Sequence, residues 1–509
     1  MIKKLYKTNL ASPKGIIKFA GSALQNGINL LAMLNFSAKL YPTQLAIADE
    51  NKSLTYSELF SKTKKLAVAI KDKFNIKPKN KVAVICKNHI SIVQATFAIS
   101  GLGADLYLLN PEMSKEQFEL FFNKTIFELV VYDVEIKKKL ENIISAEKTL
   151  FAYHNEKPAI NNIAQNQDLS NIKLPKKKSG SIVVLTGGTS GSIKVAKRKP
   201  SIFDFLNPFF ALLTKLDLDQ YKSVYIATPI YHGFGLSTLI ISVLLGSKIH
   251  LLEKFNTEKA SELIEKHKIE VITLVPLILK RLLENNPANI SSLKRIITGG
   301  AVISPVLVKE TLQKLGNVLF NLYGTSEAGF SVMATPKDLA EKPSTIGKPI
   351  QGVKLKIVDK SGGKVKSGET GMISLKTKWS MSNKDDKNVA TGDLGYVDKD
   401  GHLFLAGRAD DMIVSGGENV YPIVVENVII RHPEIEQVVI IGINDDEFGQ
   451  RLKAFCVLSK NSTLTEEILM NWLKNKVARY EMPAKIEFID EIPMTPVGKI
   501  DRKALKNRE

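Results

Sequence analysis

The sequence has little cysteine, which argues against a disulfide-rich protein and against a protein with a cysteine-based metal site. Its 509 residues include only 2 cysteines and 2 tryptophans. Cys86 and Cys456 lie far apart, each inside an apolar run. Buried reduced thiols explain such positions better than a disulfide framework or a cysteine-based metal site. A reducing compartment follows, so we expect a cytoplasmic protein.

Long hydrophobic runs and N-terminal acidic residues are also missing. No run reaches the roughly 18 apolar residues that a membrane-spanning helix needs, so no such helix is predicted. The first 48 residues contain six lysines and no aspartate or glutamate. Within them, GIIKFAGSALQNGINLLAML has a helical period, and it can pack on the protein itself or lie on a membrane as a basic amphipathic helix. Peripheral membrane contact therefore stays open.

The net charge of +19 suggests polyanionic partners but does not identify one. Acidic residues outnumber basic ones after Asp410, so the positive charge belongs to the preceding part. No RRM, zinc-finger or helix-turn-helix pattern accompanies it, and the lysines are scattered. A solvated lysine-rich surface is the simpler interpretation, and no nucleic-acid partner is predicted. The composition leaves a homodimer open.

The order of the apolar segments predicts an α/β fold. Short β-rich runs such as KVAVIC, DLYLL, LVVYD and SVYIAT alternate with longer stretches of helical period, which indicates βαβ units and largely parallel sheets. From about residue 350 to 408, DKSGG, KSGETG and VDKDG are turn signals at hairpin spacing. We therefore predict a large N-terminal domain (1–409) with a small β-rich subdomain (350–408), and a small α+β C-terminal domain (410–509).

A glycine-rich loop follows the strand-like run SIVVL. Residues Thr186 to Lys194 read TGGTSGSIK. Glycines let backbone N–H groups turn toward an anion, hydroxyls add donors, and the lysine adds charge, so this loop can bind phosphate. The Walker A spacing is absent. Taken alone, a flexible Gly/Ser linker is an equally good interpretation.

Further polar motifs follow along the chain. In NLYGTSEAG, Tyr323 can stack on a base and Glu327 can hold Mg²⁺, although an ordinary turn is the alternative. Asp393 lies between glycines, where its carboxylate can accept hydrogen bonds from ribose hydroxyls, and Arg408 adds a cation. Lys499 follows a glycine in PMTPVGKIDR. Taken singly, Asp393, Arg408 and Lys499 are more typical of structure than of function.

Together, in this order, the motifs resemble the adenylate-forming superfamily of acyl-CoA synthetases, peptide-synthetase adenylation domains and beetle luciferases. The resemblance runs from LTYSEL to Lys499. Ile193 and Val195 depart from the proline and glycine that are usual in the phosphate loop, and Gly187 is similar to the form in long-chain fatty acyl-CoA synthetases. The positions that match the family's ATP and AMP contacts are Thr186, Gly187, Gly188, Thr189, Ser190, Gly191, Lys194, Gly299, Gly300, Ala301, Tyr323, Gly324, Thr325, Ser326, Asp393 and Arg408.

The resemblance also implies the remaining roles. Lys499 is the catalytic lysine, acting with Glu327 and Thr186, and Glu327 is the Mg²⁺ ligand. Asp410 is the hinge to a mobile C-terminal domain. The acyl pocket contains His232, Gly233 and Phe234, and the CoA path contains Gly416 and Gly417.

The expected reaction activates a carboxylic acid with ATP and Mg²⁺ and transfers the acyl group to CoA. Apolar runs such as ITLVPLIL favour a medium- or long-chain fatty acid, although buried strands explain them equally. An acyl-AMP ligase that loads a carrier protein, a ligase for an aromatic or other acid, and a non-catalytic binding sensor remain alternatives.

Overall fold

The chain forms two compact units. The computed structural model describes residues 2–10, 12–163, 174, 176, 178–187, 193–198, 206–325, 327–359, 361–380, 388–415, 418–445, 448–495 and 500–508. The first unit comprises Met1–Leu274 and Arg281–Ile297, and the second comprises Val275–Lys280 and Thr298–Glu509. The boundary at residues 409 and 410 stays a prediction. Within the described ranges, no helix has the length and apolar composition that crossing a membrane requires.

The first unit is an alternation of helices and strands. Its helices are α1 (Ile2–Lys7), α2 (Pro13–Asn26), α3 (Leu30–Leu40), α4 (Tyr56–Phe74), α5 (Ile90–Gly101), α6 (Lys115–Lys124), α7 (Lys137–Leu140), α8 (Leu206–Lys215), α9 (Gly233–Leu244) and α10 (Thr257–His267). Its strands are β1 (Leu45–Ala48), β2 (Ser53–Thr55), β3 (Lys81–Ile85), β4 (Asp105–Leu108), β5 (Leu129–Tyr132), β6 (Thr149–Phe151), β7 (Ile182–Gly187), β8 (Ile193–Arg198), β9 (Ser223–Ile226), β10 (Lys248–His250) and β11 (Val271–Leu274). β12 (Arg295–Gly299) and α11 (Pro276–Asn285) are divided between the two units.

Parallel strand pairs dominate the first unit, as the alternating pattern predicts. One sheet has the order β6-β5-β3-β4-β7-β8, and its pairs are parallel up to β7. In the other sheet, the order β11-β9-β10-β1 is also parallel, and β2 closes the edge antiparallel to β1. The helix α5 is buried along its whole length, which explains why its sequence contains no charged residue.

The predicted helical segment GIIKFAGSALQNGINLLAML is divided between two helices, α2 and α3. Gly27 ends α2 with φ at 85°, a backbone conformation that glycine adopts without a Cβ clash. Asn29 then caps α3, and its side chain accepts a hydrogen bond from the backbone N–H of Ala32 at 2.9 Å. The sequence pattern missed this break because both helices have the same period.

Antiparallel strands dominate the second unit. Its strands are β13 (Leu319–Thr325), β14 (Gly329–Ala334), β15 (Thr345–Pro349), β16 (Lys354–Val358), β17 (Gly371–Lys376), β18 (Val389–Val397), β19 (Leu403–Arg408), β20 (Ile413–Ser415), β21 (Glu418–Val420), β22 (Ile435–Asp445), β23 (Gly449–Leu458) and β24 (Lys485–Phe488). Its helices are α12 (Pro305–Leu315), α13 (Pro336–Glu341), α14 (Pro422–Ile429), α15 (Glu466–Leu473) and α16 (Arg502–Lys506).

The β-rich region and the C-terminal region of this unit have separate apolar clusters. Strands β13 to β19 lie in the order β16-β17-β18-β19-β15-β14-β13 over a cluster that includes Ile357, Ile373 and Leu375. Strands β22 and β23 form a long antiparallel hairpin, and β24 adds to β23 in parallel. The predicted hairpin turns and C-terminal strands are thus present, and the mixed α/β fold class is confirmed.

Both cysteines are buried and unlinked, as the sequence predicts. Burial raises the pKa of the Cys456 thiol to about 12, and burial followed by the nearby Asp133 charge raises the pKa of the Cys86 thiol. Burial therefore disfavours the thiolate, the reactive form, at both cysteines.

Candidate active site

Four of the predicted site residues meet in the second unit. Tyr323 lies on β13, while Asp393 and Arg408 are paired in register on the antiparallel strands β18 and β19. The Tyr323 hydroxyl donates to Oδ2 of Asp393 at 2.6 Å, and Nη1 of Arg408 donates to Oδ1 at 3.1 Å. Nη2 of Arg408 donates to Oδ2 of Asp410, also at 3.1 Å. A phenol, a guanidinium and two carboxylates therefore form one connected polar group.

The backbone before Asp393 allows Arg408 to approach. Gly392 has φ at 76°, and a Cβ atom at this position would lie 2.9 Å from Nη2 of Arg408. The hydroxyl of Thr391 accepts a hydrogen bond from the Asp393 backbone N–H at 3.1 Å. The TGD sequence thus combines a residue that tolerates this conformation with a hydroxyl that holds the Asp393 backbone.

Burial and charge set the protonation states in this group. Burial raises the pKa of Tyr323 well above its usual value, and the Asp393 charge raises it further, so Tyr323 stays a neutral donor. Burial opposes the charged form of Arg408, but Asp393 and Asp410 outweigh it and raise the Arg408 pKa. Nε of Arg408 is buried and has no acceptor among the described residues. This donor suits a bound ligand with hydroxyl or phosphate oxygens.

The turn after β13 carries the predicted metal ligand. Glu327 is partly buried between β13 and β14. The Thr325 hydroxyl accepts a hydrogen bond from the Ala328 backbone N–H at 3.0 Å, which closes this turn. A carboxylate is an oxygen ligand of the kind that Mg²⁺ prefers, so the donor type fits, and the metal role of Glu327 stays a prediction. Gly324 lies in the irregular part of the β13–β14 pairing.

The residues proposed to line the adenine follow β12. Gly299 is buried at the end of the strand, Gly300 is exposed with φ at 79°, and Ala301 is partly buried. The positive φ of Gly300 requires glycine or strains any other residue. The backbone therefore turns sharply at the predicted position.

The predicted acyl-pocket residues begin α9 in the first unit. His232 is the N-cap residue, Gly233 is exposed, and Phe234 is partly buried in the first turn. The rings of Tyr231 and His232 have centroids 4.7 Å apart. A Cβ at Gly233 would meet open space, which distinguishes it from Gly235, where a Cβ would lie 2.2 Å from the Pro229 carbonyl oxygen.

Asn88 holds the loop before α9 in place, a role that the sequence alone did not predict. Its Nδ2 donates to the carbonyl oxygens of Ile226 at 3.3 Å and Thr228 at 3.0 Å, and its Oδ1 accepts from the Ile230 backbone N–H at 2.8 Å. The side chain is buried and bridges the end of β3 to the loop before α9. A polar residue three positions after the end of the buried strand β3 was the available signal.

The predicted phosphate loop is partly strand. Thr186 and Gly187 end β7, and Ile193 and Lys194 begin β8, with Thr186 paired to Lys194 in an antiparallel register. The prediction of a continuous loop from Thr186 to Lys194 was therefore too wide, because strand pairing continues into both ends of the motif.

Several predicted residues lie outside the described part of the chain. They are Gly188, Thr189, Ser190 and Gly191 of the phosphate loop, Ser326, Gly416, Gly417 and the catalytic candidate Lys499. Their roles, like the others assigned by resemblance, stay predictions.

Comparisons with known proteins identify the family. Residues 34–383 match the AMP-binding enzyme model, and residues 424–499 match the model of the AMP-binding enzyme C-terminal domain. The chain belongs to the AMP-binding enzyme family. This confirms the predicted adenylate-forming superfamily.

The chain is similar to ligases named for 2-succinylbenzoate and to an amide bond synthetase. The 2-succinylbenzoate–CoA ligase of Bacillus subtilis (strain 168) is 28% identical, with 92% of this chain and 96% of the relative covered. The ligase of the same name from Listeria monocytogenes is 30% identical, with 92% and 97% covered. A Bacillus subtilis o-succinylbenzoate CoA synthetase, solved with its acyl-adenylate intermediate, has a TM-score of 0.81 at 26% identity, covering 93% of this chain and 97% of that one. An amide bond synthetase from Marinactinospora thermotolerans shares the fold, with a TM-score of 0.84 at 24% identity, covering 94% and 99%.

Proposed function

We propose that this protein converts a carboxylic acid, ATP and CoA into an acyl-CoA, AMP and pyrophosphate by way of an acyl-adenylate. The observation that carries the proposal is the group formed by Tyr323, Asp393 and Arg408. It offers a carboxylate, a neutral phenol and a guanidinium to a nucleotide. In this proposal, Asp393 and Arg408 hold the ribose and Tyr323 stacks on the adenine.

The first step brings two anions together. A carboxylate oxygen bonds to the α-phosphorus of ATP, the bond from that phosphorus to the pyrophosphate oxygen breaks, and pyrophosphate leaves. Because the barrier is largely electrostatic, a positioned cation is needed, and we assign this role to Lys499. Mg²⁺, when bound, neutralises phosphate charge, and Glu327 with its oxygen donors is the proposed ligand.

The second step forms the thioester. The CoA sulfur attacks the acyl carbon, the thiol proton is lost, and AMP leaves with the electrons of the mixed-anhydride bond. Lys499 serves the first step, so we propose that the C-terminal part turns about Asp410 to bring Gly416 and Gly417 to the CoA path.

Replacing Asp410 by proline should leave each half-reaction measurable but slow the overall turnover. Asp410→Ala, which keeps the backbone free to rotate, is the control, and unimpaired turnover of the proline variant would exclude this hinge.

For the acid, we propose 2-succinylbenzoate or a related aromatic carboxylate. The ligases from Bacillus subtilis and Listeria monocytogenes are named for it. The fatty-acid prediction relied partly on the run ITLVPLIL, but β11 is buried throughout, and Leu279 at the end of the run has no exposed surface. These side chains pack in the interior, so their apolar character is explained without a hydrocarbon tunnel.

An acid panel tests this choice. The purified protein is given ATP, Mg²⁺ and CoA with 2-succinylbenzoate, anthranilate, octanoate or palmitate, and AMP formation is measured. We expect the highest kcat/KM for 2-succinylbenzoate. A higher value for either fatty acid would favour the fatty-acid prediction. Acid-dependent pyrophosphate release with no acyl-CoA formed would exclude CoA as the acceptor and favour a carrier protein.

A further inference from the structure

The outer face of α2 has an unusual composition for an exposed helix surface. Ile17 is 72% exposed and Leu24 is 70% exposed, and Ile16 beside them is 57% exposed. The residues that α2 buries are instead small or polar, namely Gly15, Ser22 and Asn26. The helix is thus amphipathic with its apolar side outward, the reverse of a helix that packs on its own protein.

Specific contacts fix this orientation. A Cβ atom at Gly15 would lie 1.6 Å from the carbonyl oxygen of Asn9, so only glycine allows this close approach. The rings of Phe19 and Phe36 pack edge to face with centroids 5.6 Å apart. The Asn26 side chain donates to the Ser22 carbonyl oxygen at 3.1 Å inside the buried face. Turning Ile17 and Leu24 inward would break the contacts of Gly15 and Phe19 with residues outside α2.

Lysines on and beside α2 make the surface positive. Lys14 and Lys18 lie on the helix, and Nζ of Lys18 donates to the carbonyl oxygen of Lys39. Burial, followed by the charge of a neighbouring lysine, lowers the pKa of both Lys18 and Lys39. No ion pair joins these three lysines to an acidic side chain within the described ranges. The positive charge therefore remains available to an external anion.

Lys4 on α1 differs from these three lysines because it is paired with acidic side chains. Its Nζ is paired with Asp217 and, at 3.4 Å, with Asp219, which anchors α1 to the rest of the first unit. The family match begins at residue 34, so both α1 and α2 precede the region shared with the AMP-binding model. The exposed apolar face thus belongs to a segment outside that shared region.

We propose that the outer face of α2 docks on an anionic lipid bilayer, with Ile16, Ile17 and Leu24 entering the interface and Lys14, Lys18 and Lys39 facing lipid phosphates. An apolar helix face flanked by lysines is the combination that binds anionic membrane surfaces. The absence of acidic residues from the first 48 positions removes the repulsion that such a surface would otherwise meet. A second copy of the chain would cover the apolar side chains but bring like charges together.

Vesicle co-sedimentation of the full-length protein tests the proposal. One set of vesicles is phosphatidylcholine, and the other contains phosphatidylglycerol as well. We expect binding to the anionic vesicles to exceed binding to the neutral ones by about tenfold, and to weaken in high salt because the lysine contribution is screened. Equal binding to both, or binding to neither, would overturn the proposal.

Paired substitutions locate the contact. Ile17→Asp with Leu24→Asp should reduce anionic-vesicle binding by about tenfold or more, because two apolar contacts are lost and negative charge is added. Leu120→Asp with Ile126→Asp is the control, since Leu120 is 54% exposed and Ile126 is 75% exposed in the same unit. The α2 pair should leave turnover of a water-soluble acid unchanged. If both double variants bind anionic vesicles as tightly as the unaltered protein does, α2 is not the membrane contact.

Self-association is the competing outcome. Sedimentation velocity at increasing protein concentration measures it directly. A dimer that Leu24→Asp dissociates, together with no vesicle binding, would assign the face to a second copy and overturn the membrane proposal. A monomer that binds anionic vesicles supports it.

Discussion

The hydroxyl of Tyr323 donates a 2.6 Å hydrogen bond to Oδ2 of Asp393, while Arg408 binds the other oxygen of the same carboxylate. Tyr323 lies on β13 and Asp393 lies on β18, so the sheet sets the distance between these two residues. A carboxylate held from both sides is preorganised, and it need not be reoriented when a nucleotide binds.

Replacing Asp393 by alanine should impair ATP use more than acid use. The lost charge-assisted hydrogen bonds are worth about 1.5–3 kcal/mol each, so we expect the KM for ATP to rise by about tenfold to a hundredfold. Steady-state kinetics with varied ATP measures this effect. Asp359→Ala is the control, because Asp359 lies in a turn and accepts hydrogen bonds from Ser361 and Gly363. Equal KM values for both variants would contradict the role of Asp393.

Asn88 should support both stability and acid binding. Asn88→Ala removes three hydrogen bonds, to Ile226, Thr228 and Ile230, at a cost of about 1–3 kcal/mol in the free energy of unfolding. Urea denaturation measures this cost, and the KM for the acid should rise. Asn123→Ala on the exposed face of α6 should change stability by less than about 0.5 kcal/mol. An unaffected KM would separate Asn88 from the acid site.

His250 should make the protein sensitive to acid. Burial, then the charges of Lys248 and His267, lower its pKa to about 3 from 6.5. The unfolded chain therefore binds a proton between these values that the folded protein excludes, so stability is full above pH 6.5 and falls as the pH drops toward 3. His250→Leu should remove a slope of up to about 1.4 kcal/mol per pH unit. Urea denaturation at pH 5.0 to 7.5 measures it, and identical slopes would contradict the buried neutral imidazole.

Much of the fold and part of the site follow from local sequence. The parallel strands could be predicted because a buried strand is an apolar run that can be recognised in the local sequence. DKSGG and VDKDG also correctly predicted turns. Asp393 and Arg408 could be named singly, but their pairing in register depends on how β18 and β19 align, which no local pattern encodes.

Other features arise only from tertiary packing. The period of α2 showed an apolar side, but the contacts of Gly15 and Phe19 decide that this side faces outward. The width of the phosphate loop was overestimated because Thr186 and Lys194 pair across β7 and β8. Asn88 was missed since its role depends on a loop more than a hundred residues further along the chain.

Acid-dependent exchange of pyrophosphate into ATP tests the central claim most directly, because it reports adenylate formation without CoA. We expect exchange with the unaltered protein, a loss of about a hundredfold or more in Lys499→Ala, and little change in Lys503→Ala, whose lysine is exposed on α16. Lys499→Ala should still convert supplied acyl-adenylate and CoA to thioester. No exchange with any carboxylic acid would contradict the proposal that this protein forms acyl-adenylates.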